Sequence, residues 1–335
     1  LFTPPLDTEV GGERPTVQLV DVKKTKDGYE FGFDKLDRWI DMCRRCGIKY
    51  FEMSHLFTQW GAEHAPKIVA EVDGEKKRIF GWETDADSEE YRDFLHRFAA
   101  ALTAFIDRKG IRNFCRFHVS DEPSLEQYEV YKKRADLIAE IFPGFKVIDA
   151  LSDIEFFDKG AVKYPIPSED HVEDFVGKVD EFWTYYCCGQ HNKNVPNRFF
   201  AMPSARNRIL GTLLYKYNAT GFLQWGYNYW YSQFSKHEID PFTVTDAGKA
   251  FPSGDAFVVY PGEDGQPINS LRFKVFYDGL QDLAAMRLLE SLVGREKALE
   301  IAIQDDELTF QKYPHGSSYL LALRERVNEA IKENI

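Results

Sequence analysis

The stretch FCRFHVSDEPS, Phe114 to Ser124, decides the fold of this chain. Its first half alternates apolar and polar residues, a pattern typical of a strand in a sheet. Pro123 has no backbone N–H for a ladder, so the strand ends before it, directly after Asp121 and Glu122. Ser124 and the acidic turn that follows it are typical of a helix start. The stretch therefore predicts a strand, two adjacent carboxylates at its C-terminal end, and a capped helix.

Outward from this stretch, strand-like segments alternate with helical segments or long loops. The predicted strands lie near residues 1, 48, 114, 146, 181, 221 and 255. Such alternation predicts an α/β fold in which helices cover a parallel sheet. Seven strands are one short of a TIM-type (β/α)8 barrel, so we expect that fold with its first βα unit missing upstream of the chain start. The active site of such a barrel lies at the C-terminal ends of its strands, where Asp121 and Glu122 are expected.

The expected domain organisation is one barrel with helices added at its C-terminal end. Residues 1–293 are predicted to form the catalytic barrel domain, incomplete at its N-terminus, and residues 294–335 to form helices packed on it. The segment 54–87 is predicted to be a long, irregular and aromatic loop, and loops of that length in a compact domain are usually functional.

The composition argues against several classes of partner. A net charge of -12 disfavours nucleic acid, because phosphate binding needs a face rich in Lys and Arg. No apolar run approaches the roughly 18 residues that a membrane helix needs, so no membrane span is expected. Aromatic residues make up 15% of the chain, and flat rings with a polar edge suit sugar-binding clefts. The histidines are scattered and no H-E-x-x-H motif occurs, so we expect no metal ion and no cofactor.

The chemistry of the paired acids depends on where the nucleophile comes from. In most glycosidases two carboxyl groups face each other across the scissile bond, and neighbours on one strand are poorly placed for that. They suit a substrate whose own 2-acetamido oxygen attacks. Asp121 then holds the acetamido N–H, while Glu122 donates a proton and later recovers it. A purely structural interpretation is that both acids only cap the following helix.

Long motifs are spread over the first 289 residues. They are FEMSHLFTQWGA, FHVSDEPS, NRFFAMPSARNRILG, GFLQWGYNYWYS and VVYPGEDGQPINSLRFKVFYDGLQD. Together they resemble the catalytic domain of the family 123 glycoside hydrolases. The resemblance implies an exo-acting β-N-acetylgalactosaminidase with substrate-assisted, retaining catalysis, acting on a glycan with a terminal N-acetylhexosamine. It matches Asp121 to the residue that orients the acetamido group and Glu122 to the general acid/base. It also implies an upstream β-sandwich domain, which is absent from this chain.

Further candidate substrate-binding residues follow two other predicted strands. Trp225 is expected to form an apolar wall against the acetamido methyl and the sugar face, with Tyr227 and Asn228 just beyond it. Tyr185 and Tyr186 end the preceding strand, and strand alternation sends only one of their hydroxyls toward the site.

Other candidates carry two interpretations each. His55 and Trp60 either contact sugar hydroxyls or have a structural role. His118 either contacts substrate or is a hydrogen-bonded interior residue. Asp149 and Asp153, which end another predicted strand, either bind a hydroxyl or hold a site tyrosine. Two alternative functions also remain open: a glycosidase for another sugar, with its second carboxylate from Asp149 or Asp153, and a carbohydrate-binding barrel without turnover.

Overall fold

The computed structural model describes residues 1–2, 16–59, 61–304 and 307–335. These residues fall into two compact units. The first unit comprises Leu1–Pro165 and Gln233–Glu238, and the second comprises Ile166–Ser232 and Ile239–Ile335. No helix in the described ranges is long and apolar enough to cross a membrane.

The first unit contains two sheets. Its elements are β1 Asp21–Thr25, β2 Gly28–Gly32, α1 Asp34–Arg45, β3 Phe51–Glu52, β4 Ile68–Val72, β5 Glu75–Phe80, α2 Glu89–Lys109, β6 Cys115–Phe117, α3 Tyr128–Ile141, β7 Lys146–Ala150, α4 Glu155–Asp158 and β8 Tyr164–Ile166, of which the last residue belongs to the second unit. One sheet has the order β2-β1-β4-β5 and is antiparallel except between β1 and β4. The other has the order β3-β6-β7-β8, in which β6 runs parallel to both β3 and β7.

The α2 helix forms much of the apolar core of the first unit. It begins after Ser88 and ends before Gly110, and Gly110 adopts the left-handed conformation typical of a helix end. Phe94 and Phe98 are fully buried on one face and pack against Phe2. Because such a face is apolar at helical spacing, its burial supplies most of the stability of the helix.

The second unit combines a short parallel pair of strands with a group of helices. Its elements are β9 Trp183–Tyr186, α5 Ser204–Arg208, α6 Leu210–Lys216, β10 Gly221–Gln224, β11 Val259–Pro261, β12 Pro267–Asn269, α7 Leu271–Val293, α8 Arg295–Ala302 and α9 Ser317–Asn334. β9 and β10 pair in parallel, and β11 and β12 form an antiparallel hairpin. The α8 and α9 helices contact α7. The predicted domain boundary after residue 293 stays a prediction.

The architecture is a mixed α/β fold with parallel sheets and many helices, and the predicted TIM-type barrel is not confirmed. Across the described parts of the chain no sheet closes into a barrel. The predicted strand near residue 255 pairs in an antiparallel hairpin instead of a parallel ladder. The described Leu1 and Phe2 lie outside any strand. Alternating strands and helices predict parallel pairing, but closure also needs a matched tilt and stagger that local sequence does not encode.

The segment 54–87 is also more regular than its sequence suggests. It contains β4 and β5, which form an antiparallel hairpin across the turn at Asp73 and Gly74. The prediction of an irregular loop is therefore wrong for 68–80.

Candidate active site

Three strand ends of the first unit lie at one edge of a sheet. In the parallel ladders Phe51 pairs with Cys115, and Phe117 pairs with Val147. Since parallel strands place their carboxyl ends at the same edge, the residues that follow β3, β6 and β7 come together there. This edge is where ligands bind in open α/β sheets.

The segment directly after β6 is fixed by side-chain hydrogen bonds. The Val119 N–H donates to both carboxylate oxygens of Asp149 at 3.1 Å. The buried Ser120 hydroxyl donates to the Thr58 carbonyl at 3.0 Å. These bonds tie the segment both to β7 and to the loop that follows β3, so the next two residues start from a defined position.

Glu122 adopts a backbone conformation that residues with a side chain rarely take. Its φ is 42°, in the left-handed region where a β-carbon is crowded. The Glu122 N–H donates to the Ala150 carbonyl of β7 at 3.1 Å, which holds the turn in place. Strained backbone held by its surroundings is concentrated at functional sites. Glu122 is exposed and Asp121 is half-buried, so both acids lie at an accessible edge.

The helix after the acids is capped by other residues. A 3₁₀ turn at Leu125–Gln127 leads into α3. The Ser124 N–H donates to Gln127 Oε1 at 2.9 Å, and the Ser124 side chain accepts from the Gln127 backbone N–H. This reciprocal arrangement is a capping box. The helix start is therefore capped by Ser124 and Gln127, and the roles of Asp121 and Glu122 stay a prediction.

Beside the acids, four polar side chains form a chain: Tyr131, Asp149, His118 and Glu52. The Tyr131 hydroxyl donates to Asp149 Oδ2 at 2.6 Å. His118 Nδ1 lies 3.2 Å from Asp149 Oδ1, and His118 Nε2 lies 3.5 Å from Glu52 Oε1. Burial lowers the pKa of His118, but its contacts with Asp149 and Glu52 outweigh burial and raise the pKa to about 10. His118 is therefore an imidazolium held between two carboxylates.

Asp149 is fully buried and its two oxygens are already occupied by donors. Burial raises the pKa of Asp149, while the contacts with His118, Tyr131 and the Val119 N–H oppose that rise. Asp149 therefore holds the buried Tyr131 of α3, which is not one of the candidate site tyrosines, and its assignment to substrate binding stays a prediction.

His55 lies in the loop that follows β3 and packs against the polar side chains of His118 and Asp149. Its ring centroid lies 4.4 Å from that of His118, and its Nε2 lies 3.9 Å from Asp149 Oδ1. Burial, followed by repulsion from His118, lowers the pKa of His55 well below its ordinary value. His55 is therefore neutral and makes no ion pair with Asp149. A neutral imidazole offers one donor and one acceptor.

His55, His118 and Asp149 are also the described residues that could hold a metal ion. One donor atom from each lies within 4.8 Å of the others, and imidazole nitrogens with a carboxylate suit divalent transition metals. Both ring nitrogens of His118 already face carboxylates, so a metal ion would have to displace a proton that Glu52 and Asp149 stabilise. The expectation of no metal ion and no cofactor stays a prediction.

The structure thus brings His55, His118 and Asp149 close to the turn that carries the paired acids. Trp60 lies outside the described residues. Glu52 is an addition that the sequence interpretation missed, although its place as the last residue of β3 was a usable signal.

The candidates of the second unit lie on and after β9 and β10. Tyr185 and Tyr186 pair with Leu223 and Gln224 in the parallel ladder. Both tyrosines are buried, with exposed fractions of 8% and 0%. The Tyr186 ring stacks edge-on against Phe222 at 4.9 Å. The assignment of Tyr185 and Tyr186 to substrate binding stays a prediction.

Trp225, Tyr227 and Asn228 follow β10 but differ in their surroundings. Trp225 is half-buried, and its ring lies 5.3 Å from the ring of Phe251. Tyr227 is exposed and lies 6.1 Å from the ring of Phe273. Asn228 is exposed too. Their assignment to substrate binding stays a prediction.

A buried Arg198–Asp255 pair supports Trp225, and sequence reasoning missed it. Arg198 Nη2 donates to the Trp225 carbonyl at 3.0 Å and to the Asp255 carbonyl at 2.5 Å. It also lies 4.0 Å from Asp255 Oδ1, and both side chains are fully buried. Arg198 lies in a loop 57 residues before Asp255, so no spacing rule links the two residues.

We expect Asp255 to make the stability of the protein fall as the pH rises from about 4 to 7. Burial raises the pKa of Asp255 from 3.8 to about 6, against the opposing effects of Arg198, Trp225 and Arg272. The folded state therefore holds the proton more tightly, and the stabilisation present below pH 3.8 is lost as the pH rises through 6. A pKa difference of this size corresponds to about 3 kcal/mol.

The measurement is urea denaturation of the wild type and Asp255→Asn between pH 4 and 7. The difference in free energy of unfolding, wild type minus variant, should decrease by about 2 kcal/mol over this range. Asp264→Asn, which changes an exposed acid in the β11–β12 turn, should show no such trend. If the difference in free energy of unfolding between the wild type and Asp255→Asn does not change with pH, the raised pKa of the buried Asp255 carboxyl is contradicted.

Comparisons with known proteins complete the description. The family model described as glycoside hydrolase 123, catalytic domain, matches residues 1–289. A solved family 123 glycoside hydrolase from Clostridium perfringens, described in a study of glycolipid glycan hydrolysis, matches with a TM-score of 0.66 and 16% identity. The match covers 99% of this chain and 60% of that chain, so this chain spans less than two thirds of that protein. No curated protein matches. At 16% identity, the structural likeness shows the fold alone.

Proposed function

Because the chain belongs to glycoside hydrolase family 123, as its motifs predicted, we propose that it removes terminal β-linked N-acetylgalactosamine from a glycan or glycoconjugate. Family membership supports glycoside hydrolase activity in general. The observation that carries the finer proposal is the turn after β6, which presents Asp121 and Glu122 side by side at an accessible edge while other residues cap the helix. The family match over residues 1–289 supports a catalytic domain within the predicted range 1–293.

In the proposed reaction the substrate supplies the nucleophile. Glu122 donates its proton to the glycosidic oxygen while the 2-acetamido carbonyl oxygen attacks the anomeric carbon, so the aglycone leaves as an alcohol and an oxazolinium ion forms. Asp121 accepts a hydrogen bond from the acetamido N–H and stabilises the positive charge that develops there. The Glu122 carboxylate then takes a proton from water while the water oxygen attacks the anomeric carbon. This opens the oxazolinium ring, restores the acetamido group and gives net retention of configuration.

The adjacent positions of Asp121 and Glu122 in the sequence favour this reaction over direct attack by a protein carboxylate. A retaining pair that includes a protein nucleophile places its two carboxyl groups about 5 Å apart on opposite sides of the bond. Asp149 is a poor second carboxylate for such a pair, because it is fully buried and both of its oxygens accept hydrogen bonds. Asp153 accepts a hydrogen bond from the Glu155 N–H at 3.0 Å. The alternative of a glycosidase with one of these acids as second carboxylate loses support accordingly.

Inhibition by a thiazoline analogue of the oxazolinium intermediate tests the proposal. Analogues of high-energy species bind at least about 10²-fold more tightly than the substrate, so the inhibition constant should lie at least that far below the KM of an aryl β-N-acetylgalactosaminide. Hydrolysis that the thiazoline does not inhibit would remove substrate assistance. Binding of glycosides without any hydrolysis would favour a carbohydrate-binding protein instead.

A further inference from the structure

Glu52 is both held in place and open to solvent. It is the last residue of β3, and its side chain is 40% exposed. One of its oxygens lies 3.5 Å from the Nε2 of His118, whose side chain is only 6% exposed. An exposed glutamate usually samples many rotamers, whereas this contact restricts Glu52 to one region.

The other side of His118 is anchored just as firmly. Its Nδ1 faces Asp149, which also accepts from the buried Tyr131 hydroxyl and from the Val119 N–H. Each partner of Asp149 is therefore fixed by an element of the sheet or by α3. The contacts of His118 and Asp149 therefore fix the position of the Glu52 carboxylate at the sheet edge before a ligand binds. Such preorganisation reduces the entropy lost on binding.

His55 supplies a second polar group at the same place. Its ring lies against the ring of His118, the residue that Glu52 also contacts. The His55 side chain is 17% exposed. The two nitrogens of its ring are hydrogen-bonding atoms at this edge of the sheet. Glu52 and His55 both contact the His118 ring, and a carboxylate and an imidazole around one ring suit groups that both donate and accept hydrogen bonds, which is the chemistry of hydroxyls.

We propose that Glu52 and His55 form a subsite that binds two hydroxyl groups of a pyranose ring, with His118 as the residue that positions Glu52. The proposal rests on the proposed function and deepens it, because it names the residues that recognise the sugar hydroxyls. The subsite lies at the same sheet edge as the turn with Asp121 and Glu122, which begins three residues after His118. A hydroxyl bound to a carboxylate makes the stronger, charge-assisted type of hydrogen bond.

The test compares a parent aryl β-N-acetylgalactosaminide with its 3-, 4- and 6-deoxy analogues in the wild type and in Glu52→Gln. In the wild type, loss of the hydroxyl that contacts Glu52 should lower kcat/KM between about ten-fold and a hundred-fold. Glu52→Gln should lower kcat/KM for the parent by a similar factor and leave that one analogue unaffected. Glu129→Gln, an exposed change on α3, should leave every ratio unaltered.

Two results would overturn the subsite. The first is that Glu52→Gln changes kcat/KM by the same factor for the parent and for all three analogues, or does not change it for any of them. The other is stoichiometric Zn²⁺ binding that His55→Asn abolishes and that competes with the sugar.

Failure of the proposed function is a separate result. If the wild type hydrolyses no N-acetylhexosaminide, the same comparison is made with Kd values from calorimetry in the Glu122→Gln variant. The subsite stands if one deoxy analogue and Glu52→Gln again have non-additive effects, and it is overturned if their effects add.

Discussion

Replacement of Glu122 with glutamine is expected to lower kcat for an aryl β-N-acetylgalactosaminide by about 10²- to 10⁴-fold. Glutamine keeps the size of the side chain but can neither donate the proton to the leaving oxygen nor recover it from water. Because proton donation matters most for poor leaving groups, the loss should be larger for a phenyl glycoside than for a dinitrophenyl glycoside. Initial rates on both substrates measure this, and circular dichroism should show an unchanged fold because Glu122 is exposed.

The matched control is Glu126→Gln, the same chemical change at an exposed position in the first turn after the acids. This variant should keep the wild-type kcat on both substrates. Wild-type turnover by Glu122→Gln would contradict the assignment of Glu122 as the general acid/base.

Replacement of Asp149 with alanine is expected to lower the free energy of unfolding by about 3 to 5 kcal/mol. The change leaves the His118 imidazolium buried beside a single carboxylate, and it removes the acceptor for the Tyr131 hydroxyl and the Val119 N–H. A charge or donor that loses its partner in the interior carries its full desolvation cost. Urea denaturation at pH 7 measures the loss.

Asp153→Ala provides the comparison, because Asp153 lies just after the same strand but is half-buried and accepts one hydrogen bond, from the Glu155 N–H. Loss of such a helix-end contact costs about 1 kcal/mol. If the two alanine variants lose equal stability, Asp149 is not the centre of a buried polar chain.

The sequence predicts well those elements whose ends are determined by residues close to them in the sequence. The α2 helix combines an apolar stripe with Ser88 at its start and Gly110 at its end, and all three signals lie within the helix or next to it. The start of the helix after the paired acids is likewise predicted from Ser124 and the residues behind it. Capping and periodicity need no partner elsewhere in the chain.

Strands are harder to predict because their partners are distant in sequence. A strand is predicted near residue 48, yet only Phe51 and Glu52 pair, since the ladder with β6 is two residues long. Conversely, β4 is missed although Lys23 and Lys24 of β1 pair with its last two residues. The Asp73-Gly74 turn, a strong hairpin signal between two strand-like runs, could have revealed β4 and β5.

The site shows the same division between local and distant information. Asp121 and Glu122 are predicted as candidates because they are neighbours before a proline. The contacts of His118 with Glu52 and Asp149 depend on three parallel strands lying side by side, which fixes their distances only once the sheet has formed. The Arg198–Asp255 pair has no local signal at all.

The central claim is that the acetamido oxygen of the substrate is the nucleophile. The most direct test is the rate of hydrolysis of aryl β-glycosides of galactosamine whose N-acetyl group carries no, one, two or three fluorine atoms. Each fluorine withdraws electron density from the amide oxygen and weakens its attack, so kcat/KM should fall step by step along the series. A kcat/KM that is independent of the number of fluorine atoms would contradict the account.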